Sequence, residues 1–468
     1  MEETVRLERR GAVAILTIDN PPVNALSHSV RVGLLKHLDA IDGEEAVKAI
    51  VLACAGSTFS AGADVREFGA PPRDPIMAMA MERIERSPAL TVAAIHGQAL
   101  GGGLETALCF DYRCAVPAAR VGLPEIKLGL FPGGGGTQRL PRLIGLPAAI
   151  DMIIGGEAIG VAKAKAMGLV DEIIEGDLLD GAVAYAEQLL AAAAPRRRLG
   201  ERSVAVPDGF SFDDARRKAV RDAKGLVAAG VAMDALKAST DRPFADGLAE
   251  ERRLFLSIRD STESAAMRHL FAAEREVAKI PGLPKDTATR PVETAAVFGA
   301  GTMGTGIAIA LLNGGLSVTL LDTAQAALDR SVGTIRSTFA SQVERGRLSA
   351  AESDARTGRL TTSVDIADAA ASDLVIESVF EDMGVKQDLF RRLGAVAKPQ
   401  AVLATNTSAL DVNAIAAASG RAGAVVGMHF FSPANIMRLV EVVQARETAP
   451  DILATALALC KRMGKIGV

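Results

Sequence analysis

The sequence predicts an α/β protein made of two successive units with a helical stretch between them, and three observations carry that expectation. Over the first 190 residues, short apolar runs alternate with helical patterns. VAILTID (13–19), AIVLACAG (49–56) and LTVAAIHG (90–97) read as buried strands rich in β-branched and aliphatic residues. From about residue 195 the character changes. APRRR (194–198) is charged and turn-like, 211–280 is mostly Ala, Arg, Glu, Leu and Lys, and 244–280 reads as one or two long helices. PGLPKDTATRP (281–291) then breaks the periodicity with three prolines, and a fresh α/β pattern opens with TAAVFGAGTMG (294–304). The expected domains are 1–195, a helical extension and linker at 196–290, and 291–468.

A chain of 468 residues exceeds one ordinary core. With 23% charged and 49% apolar residues it has a globular balance, neither disordered nor fibrous. Net charge is −4 with no dense basic run, which argues against nucleic-acid binding. Cys54, Cys109, Cys114 and Cys460 have neither paired nor CxxC spacing, so a reducing compartment is expected, with no disulfide framework and no metal site. The opening MEETVRLERR lacks the apolar core of a secretory signal, and no run approaches 18 apolar residues, so no membrane span is expected.

In the second half, the strand-like TAAVF (294–298) runs into GAGTMG (299–304), a G-x-G-x-x-G at Gly299, Gly301 and Gly304. A helical segment, IAIALLNGG, follows and closes at Gly314 and Gly315; the next strand, SVTLLD (317–322), ends on Asp322, 18 residues past Gly304. The first glycine makes the tight turn, the second lets backbone approach a pyrophosphate, and the third lets helix and strand pack closely. Thr302 and Met303 fill the turn, where free amides at the helix start face the phosphates. Asp322 would accept from the ribose 2′-hydroxyl and repel a 2′-phosphate, which favours NAD over NADP. A lone glycine pattern is weak. Here the preceding strand, the following helix and the distant acid make a Rossmann-type NAD-binding domain the expected fold.

Three further strand-like runs follow: DLVIESVF (373–380), AVLATNTS (401–408) and AVVGMHFF (424–431). The last carries His429, and LVEVV (439–443) carries Glu441. Oxidising an alcohol by hydride transfer needs a base for the hydroxyl proton. Imidazole has a suitable intrinsic pKa, and a carboxylate would orient it. Taken alone, His429 reads as a packed core histidine. The string TNTSAL…GMHFFSPANIMRLVEVV, however, strongly resembles the 3-hydroxyacyl-CoA dehydrogenase family over residues 292–468. That resemblance implies His429 as base, Glu441 as its partner, Ser408 against the substrate oxygen, and Glu381 and Lys386 near the nicotinamide and its ribose. The family also continues past MGKIGV (463–468) into an Asn-Arg segment and a helical domain that close the acyl-CoA cleft. On that resemblance the sequence looks truncated, so NAD binding is expected whether or not the dehydrogenase step is retained.

In the first half, Glu105 follows the glycine run of ALGGGLETALCFDY (99–112), and Glu125 lies in VGLPEIKLGLFPGGGGTQRL (121–140). Either glutamate alone reads as a solvated loop carboxylate. Two acids beside glycine-rich turns can instead divide acid and base work, because burial and mutual repulsion separate their pKa values. With STFSAGADVREF (57–68) and NPPVNALS (20–27), these segments strongly resemble the enoyl-CoA hydratase (crotonase) family over roughly residues 5–190. The resemblance implies the spiral ββα crotonase fold, a thioester oxyanion hole from the amides of Ala63 and Gly102, and Glu105 and Glu125 as the catalytic pair. Hydration of an α,β-unsaturated thioester builds an enolate, which two fixed amides and the dipole of a helix starting near Gly102 would stabilise. Glu125 would handle the proton at C2, and Glu105 would share in holding and activating the water. Leu104 stands where some relatives carry cysteine. Asp64 is read as structural, and Arg66, Lys127, Arg139 and Arg142 are read as solvated surface charge rather than contacts to CoA phosphates.

Together the two resemblances imply the multifunctional enzymes of fatty-acid β-oxidation, with NAD as cofactor and acyl-CoA substrates. They also imply a side activity isomerising 3-enoyl-CoA to 2-enoyl-CoA, and a thiolase or a second copy as partner. Location would be cytoplasmic for a bacterial source and peroxisomal for a eukaryotic one. Two other readings stay open at this point: a crotonase-fold isomerase or thioester hydrolase, and a non-catalytic acyl-CoA- or NAD-binding scaffold.

Overall fold

The computed structural model describes residues 3–67, 71, 73–277, 279–284 and 286–468. Phe68 at the end of the STFSAGADVREF loop, Ala278 in the helical stretch and Lys285 in the linker lie outside the described residues. The chain divides into two compact units, Met1–Phe271 and Ala272–Val468.

The first unit begins with strands β1 (Val5–Arg10), β2 (Val13–Ile18), β3 (Ala49–Cys54) and β4 (Leu90–Ile95), with helices α1 (His28–Asp42) and α2 (Met77–Arg86) among them. β5 (Gln98–Leu100), β6 (Tyr112–Ala115), β7 (Arg120–Gly122), β8 (Ile159–Gly160) and β9 (Glu172–Ile173) follow, interspersed with α3 (Gly102–Ala107), α4 (Gly136–Ile144), α5 (Leu146–Gly155), α6 (Val161–Ala166) and α7 (Leu178–Ala191). The first sheet has the order β1-β2-β3-β4-β6-β9, and β5, β7 and β8 form a second. Past β4 the chain passes back and forth between the two sheets, β5 in the second, β6 in the first, β7 and β8 in the second and β9 in the first, which winds this unit into a spiral of strands and helices. β3 and β4 are buried almost throughout, as parallel strands covered on both faces are. Alternation sends Ala14 and Leu16 to one core and Val13 and Ile15 to the other, where α7 covers them with Ala182 and Ala186.

Helices α8 (Phe212–Asp222), α9 (Val227–Asp241), α10 (Phe244–Arg259) and α11 (Thr262–Glu276) complete the expected helical stretch. The stretch is built into the first unit's core rather than strung out as a spacer. Ala228, Ala232, Leu236 and Ile258 join the same apolar cluster as Leu104, Phe131 and Leu140. The small residues of α9 let it lie close against α4 and α5.

The second unit holds β10 (Thr294–Phe298), α12 (Thr302–Asn313), β11 (Ser317–Leu321), α13 (Gln325–Glu344), α14 (Ala350–Thr357), β12 (Leu360–Ser363), β13 (Leu374–Glu377), α15 (Met383–Val396), β14 (Val402–Thr405), α16 (Val412–Ala418), β15 (Val425–Phe430), β16 (Leu439–Val443), α17 (Pro450–Arg462) and β17 (Ile466–Gly467). Its sheet order is β12-β11-β10-β13-β14-β15-β16-β17, parallel from β12 through β15. That is the 3-2-1-4-5-6 order of a doubly wound dinucleotide fold. The order reverses between β10 and β13, so their carboxyl ends open the crevice where such folds bind ligands. Apolar layers cover both faces, with α12, α13 and α17 on one and α15 and α16 on the other.

Candidate active sites

In the first unit, three loops meet at a cavity of about 430 Å³. Its lining includes Ala63, Gly102, Glu105, Glu125 and Gly134, which the sequence scatters over more than seventy positions. The amides of Ala63 and Gly102 come together because their loops nearly touch: a Cβ built on Gly102 would lie 3.2 Å from the Ala63 nitrogen. Gly102 opens α3, so its N–H has no acceptor within the helix.

Glu105 is buried, and its Oε1 accepts the backbone N–H groups of Gly134 at 2.7 Å and Gly136 at 2.8 Å. The glycines that donate form the turn into α4. Gly135 there has φ +98°, and a Cβ on it would lie 1.7 Å from Arg139 Nη1, so only glycine fits. Burial raises the Glu105 pKa, while the Gly136 and Gly134 amides and the Arg139 guanidinium oppose the shift. Glu125 sits on the 3₁₀ turn Pro124–Leu128, its carboxylate against Gly101, and its Oε2 is buried without a hydrogen-bond partner. Burial pushes its pKa well up, and the charge of Glu105 pushes it further. Both acids are therefore far from the solvated loop carboxylates they resemble singly, and they are unequal: two glycine amides hold Glu105, whereas Glu125 keeps one oxygen without a partner.

Two expected surface cations are also inside. Arg139 is 2% exposed and pairs with Glu85 through two 2.8 Å hydrogen bonds, Nε to Oε1 and Nη2 to Oε2. Its third contact, Nη1 to Gly134 O at 2.9 Å, braces the glycine turn. Arg142 is buried as well and donates to the carbonyls of Gln138 and Arg202. Glu85 compensates Arg139, and Arg142 has two carbonyl acceptors and the face of the Phe244 ring, partners that the sequence does not reveal. Arg66 and Lys127 are surface groups, paired with Asp64 and Glu157. Asp64 is buried, accepting from Arg66, and that hydrogen bond lowers its pKa. Sequence reasoning missed Glu251 on α10, a third buried carboxylate beside the same turn. The run LAEERR contains no local sign that sets it apart from Glu250.

In the second unit, Gly299, Gly301, Thr302, Met303 and Gly304 form the turn from β10 into α12 at the switch point. A Cβ on Gly304 would stand 1.8 Å from the Gly299 carbonyl oxygen, so the strand-to-helix crossing requires glycine. A Cβ on Gly301 would meet nothing within 4 Å, which leaves its face open to a ligand. Asp322 follows β11 and caps this turn, its Oδ2 accepting from Ala300 N at 2.8 Å. These features fit a dinucleotide: an open backbone face, a helix start and a carboxylate at the second strand's end.

β15 and β16 run antiparallel with His429 directly opposite Glu441, and His429 Nδ1 lies 2.7 Å from Glu441 Oε2. Ser408 is exposed beyond β14, and its backbone N–H donates to Glu381 Oε1 at 3.0 Å. Asn406, not singled out from sequence, ties this loop to β15 by accepting from Phe430 N at 2.8 Å. Lys386 is buried. Its side chain is 1% exposed, with Nζ 2.6 Å from Glu377 Oε1 and 3.1 Å from Glu381 Oε2. A buried ammonium needs such partners, and of its two carboxylates Glu381 is the more exposed. Glu377, also unforeseen, is fully buried and accepts from Thr405 Oγ1 as well.

Comparison with known proteins gives a family match within each unit. Residues 8–204 match the family described as enoyl-CoA hydratase/isomerase. Residues 294–468 match the NAD binding domain of 3-hydroxyacyl-CoA dehydrogenase. The chain is 37% identical over 463 residues to a Danio rerio protein named peroxisomal bifunctional enzyme, covering 98% of this chain and 64% of the relative. With the Homo sapiens protein of that name it shares 38% over 475 residues, covering 100% of this chain and 65% of the relative. An Oryza sativa subsp. japonica protein named peroxisomal fatty acid beta-oxidation multifunctional protein is 35% identical, with 97% and 65% covered. The chain thus spans a little under two thirds of these relatives' length. Among the described residues, no helix is long and apolar enough to cross a membrane, and no group of side chains is arranged to hold a metal ion. The chain joins a domain of the enoyl-CoA hydratase/isomerase family to the NAD-binding domain of the 3-hydroxyacyl-CoA dehydrogenase family.

Proposed function

We propose that the first unit hydrates trans-2-enoyl-CoA to (3S)-3-hydroxyacyl-CoA and that the second binds NAD and oxidises this product to 3-ketoacyl-CoA, consecutive steps of fatty-acid β-oxidation. The observation that carries the hydratase reading is the inequality of the two carboxyls in one cavity. Glu105, held by two amides, is the better placed to be ionised, and takes a proton from water as its oxygen attacks C3. Glu125, bare and pushed up by burial and by Glu105, holds a proton and delivers it to C2. The Ala63 and Gly102 amides receive the enolate oxygen; losing one such donor costs on the order of 100–1,000-fold in rate. Exchange of one proton each with solvent resets the pair. Glu125 alone would also serve to move a proton between C2 and C4, the isomerisation of a 3-enoyl-CoA.

In the second unit, Gly299 to Gly304 and Asp322 would hold the dinucleotide, which when bound accepts the hydride from C3. His429 takes the hydroxyl proton, Glu441 fixes the imidazole through Nδ1 and steadies its charge, and Ser408 lies near the substrate oxygen. Glu381 and, behind it, Lys386 shape the nicotinamide side of the crevice. The 3-ketoacyl-CoA product is a substrate for thiolysis, which makes a thiolase the expected partner, with self-association the other arrangement. We assign the peroxisome for a eukaryotic source, as in the named relatives, and the cytoplasm for a bacterial one.

The test is to mix the purified chain with crotonyl-CoA, without NAD, and follow the conjugated enoyl-thioester absorbance. Rapid loss with the thioester intact is the expected result. Release of free thiol would replace the hydratase by a hydrolase, and a folded sample that leaves the absorbance unchanged would overturn the reading.

A further inference from the structure

The turn into α4 is held from two sides by two carboxylates that divide its amides between them. The N–H groups of Gly134 and Gly136 go to Glu105 Oε1, whereas those of Gly135 and Thr137 go to Glu251, at 2.6 Å to Oε1 and 3.0 Å to Oε2. The Thr137 hydroxyl also donates to Glu251 Oε2, and it accepts from Gln138 Nε2, which in turn donates to the Ala235 carbonyl on α9. Both Glu251 oxygens are thus occupied, and the side chain is 1% exposed. Gly247, one helical turn earlier on the same face of α10, makes room: a Cβ there would lie 2.3 Å from Gln138 Oε1.

A charged or polar group is not buried this deeply without a partner or a use. The partners of Glu251 are all on the one turn whose alternate amides set the position of Glu105. We propose that Glu251 is a positioning residue for the hydration site: α10, through Glu251, fixes the 134–137 turn so that the Gly134 and Gly136 N–H groups aim at Glu105. This rests on the proposed hydratase reading. A slight rotation of the turn would trade those amides between the two carboxylates, and a misplacement of about 1 Å costs on the order of 100-fold in rate.

The charged groups facing Glu251 are Glu105, Glu125 and Arg139 from the elements packed against it and Arg252 on its own helix, with Arg139 already bound to Glu85. Burial first, then Glu105, raises Glu251 to about 8, and its charge in turn adds to what raises Glu125. Replacing Glu251 by Gln removes the charge that Glu251 carries as pH passes about 8 and turns an NH₂ toward one of the turn's donors, so the upper part of the pH–rate limb set by Glu125 moves to lower pH.

The experiment compares crotonyl-CoA hydration by the wild-type chain, Glu105→Gln, Glu251→Gln and Glu251→Asp across pH. The expected result for Glu251→Gln is a kcat lower by about 10–100-fold with KM within about threefold, and a pH limb displaced downward. Glu251→Asp, which keeps the charge, should hold the limb in place and recover part of kcat. A folded Glu251→Gln protein with wild-type kcat and pH limb overturns the proposal. So does a kcat loss that tracks only the fraction of folded chains with the limb unmoved, since that marks a merely structural residue. Should Glu251→Gln fail to fold, Thr137→Val, which removes the hydroxyl donated to Glu251 and with it the acceptor of Gln138 Nε2, must lower kcat at constant KM for the proposal to stand. Failure of the hydratase reading is distinct: the wild type would then be inactive, or Glu105→Gln fully active.

Discussion

His429 and Glu441 are direct partners across the antiparallel β15–β16 pair, and that register brings Nδ1 and Oε2 to 2.7 Å. The contact fixes which ring nitrogen faces the carboxylate and leaves Nε2 for the substrate. Glu441→Gln keeps the register but removes the charge that steadies an imidazolium. The expected outcome is a fall in kcat for 3-hydroxybutyryl-CoA oxidation of about 10–100-fold. The affinity for NAD, measured by calorimetry, should stay within about twofold, and a parallel loss of NAD binding would contradict the assigned role.

What was legible in the sequence was local. The G-x-G-x-x-G turn places glycine, helix start and Asp322 within one strand-helix-strand unit, so spacing alone located them. The His429–Glu441 pair came from the resemblance of the string that carries both, since His429 taken alone reads as a packed core histidine. Glu251 was not, because it meets Gly135 across 116 residues, and only the phase of α10 distinguishes it from Glu250. Arg139 was misread for a related reason. Its partner Glu85 lies 54 residues away, and a cation's burial depends on a partner that local pattern does not contain. The partner of Lys386 was hidden in the same way: the buried Glu377 that takes up its charge sits at the end of a strand that reads as purely apolar packing.

The crossing of α12 over β10 makes a sharp prediction for the second unit. A methyl group at residue 304 would stand 1.8 Å from the Gly299 carbonyl, so Gly304→Ala must push helix and strand apart. Overpacking of this kind costs about 1–3 kcal/mol. NAD titration should show at least about tenfold weaker binding, because the turn that would carry the phosphates is the part displaced. Crotonyl-CoA hydration, by a site in the other unit, should be unchanged. Undiminished NAD affinity would mean that the turn is not the binding element.

The buried Arg139–Glu85 pair predicts a strong asymmetry between single and double substitutions. Arg139→Met leaves Glu85 without its cation in a largely dry setting and frees the Gly134 carbonyl. Urea denaturation should show a loss of about 3–5 kcal/mol. Arg139→Met with Glu85→Leu removes both charges and should regain most of it, since an apolar pair of similar volume escapes the desolvation cost. A single-variant loss below about 1 kcal/mol would place the pair among solvated surface ion pairs.

Glu125→Gln should separate function from stability. Burial and the neighbouring Glu105 raise the Glu125 pKa in the folded chain, while the unfolded chain has an ordinary carboxyl. Folding therefore holds this proton more tightly, and its contribution to stability is full below the ordinary carboxylate range and is lost as pH rises toward and through the folded value. Glutamine is neutral at every pH and escapes that loss. The variant should match the wild type near pH 4 and gain on it steadily above, with the first unit melting at a higher temperature than wild type at pH 8. Hydration should fall by about 100–10,000-fold, because no other carboxyl in the cavity is free to deliver a proton at C2. Residual rapid hydration would assign that proton to Glu105. A melting temperature that drops at pH 8 would mean Glu125 is held ionised by a partner, contrary to its bare Oε2.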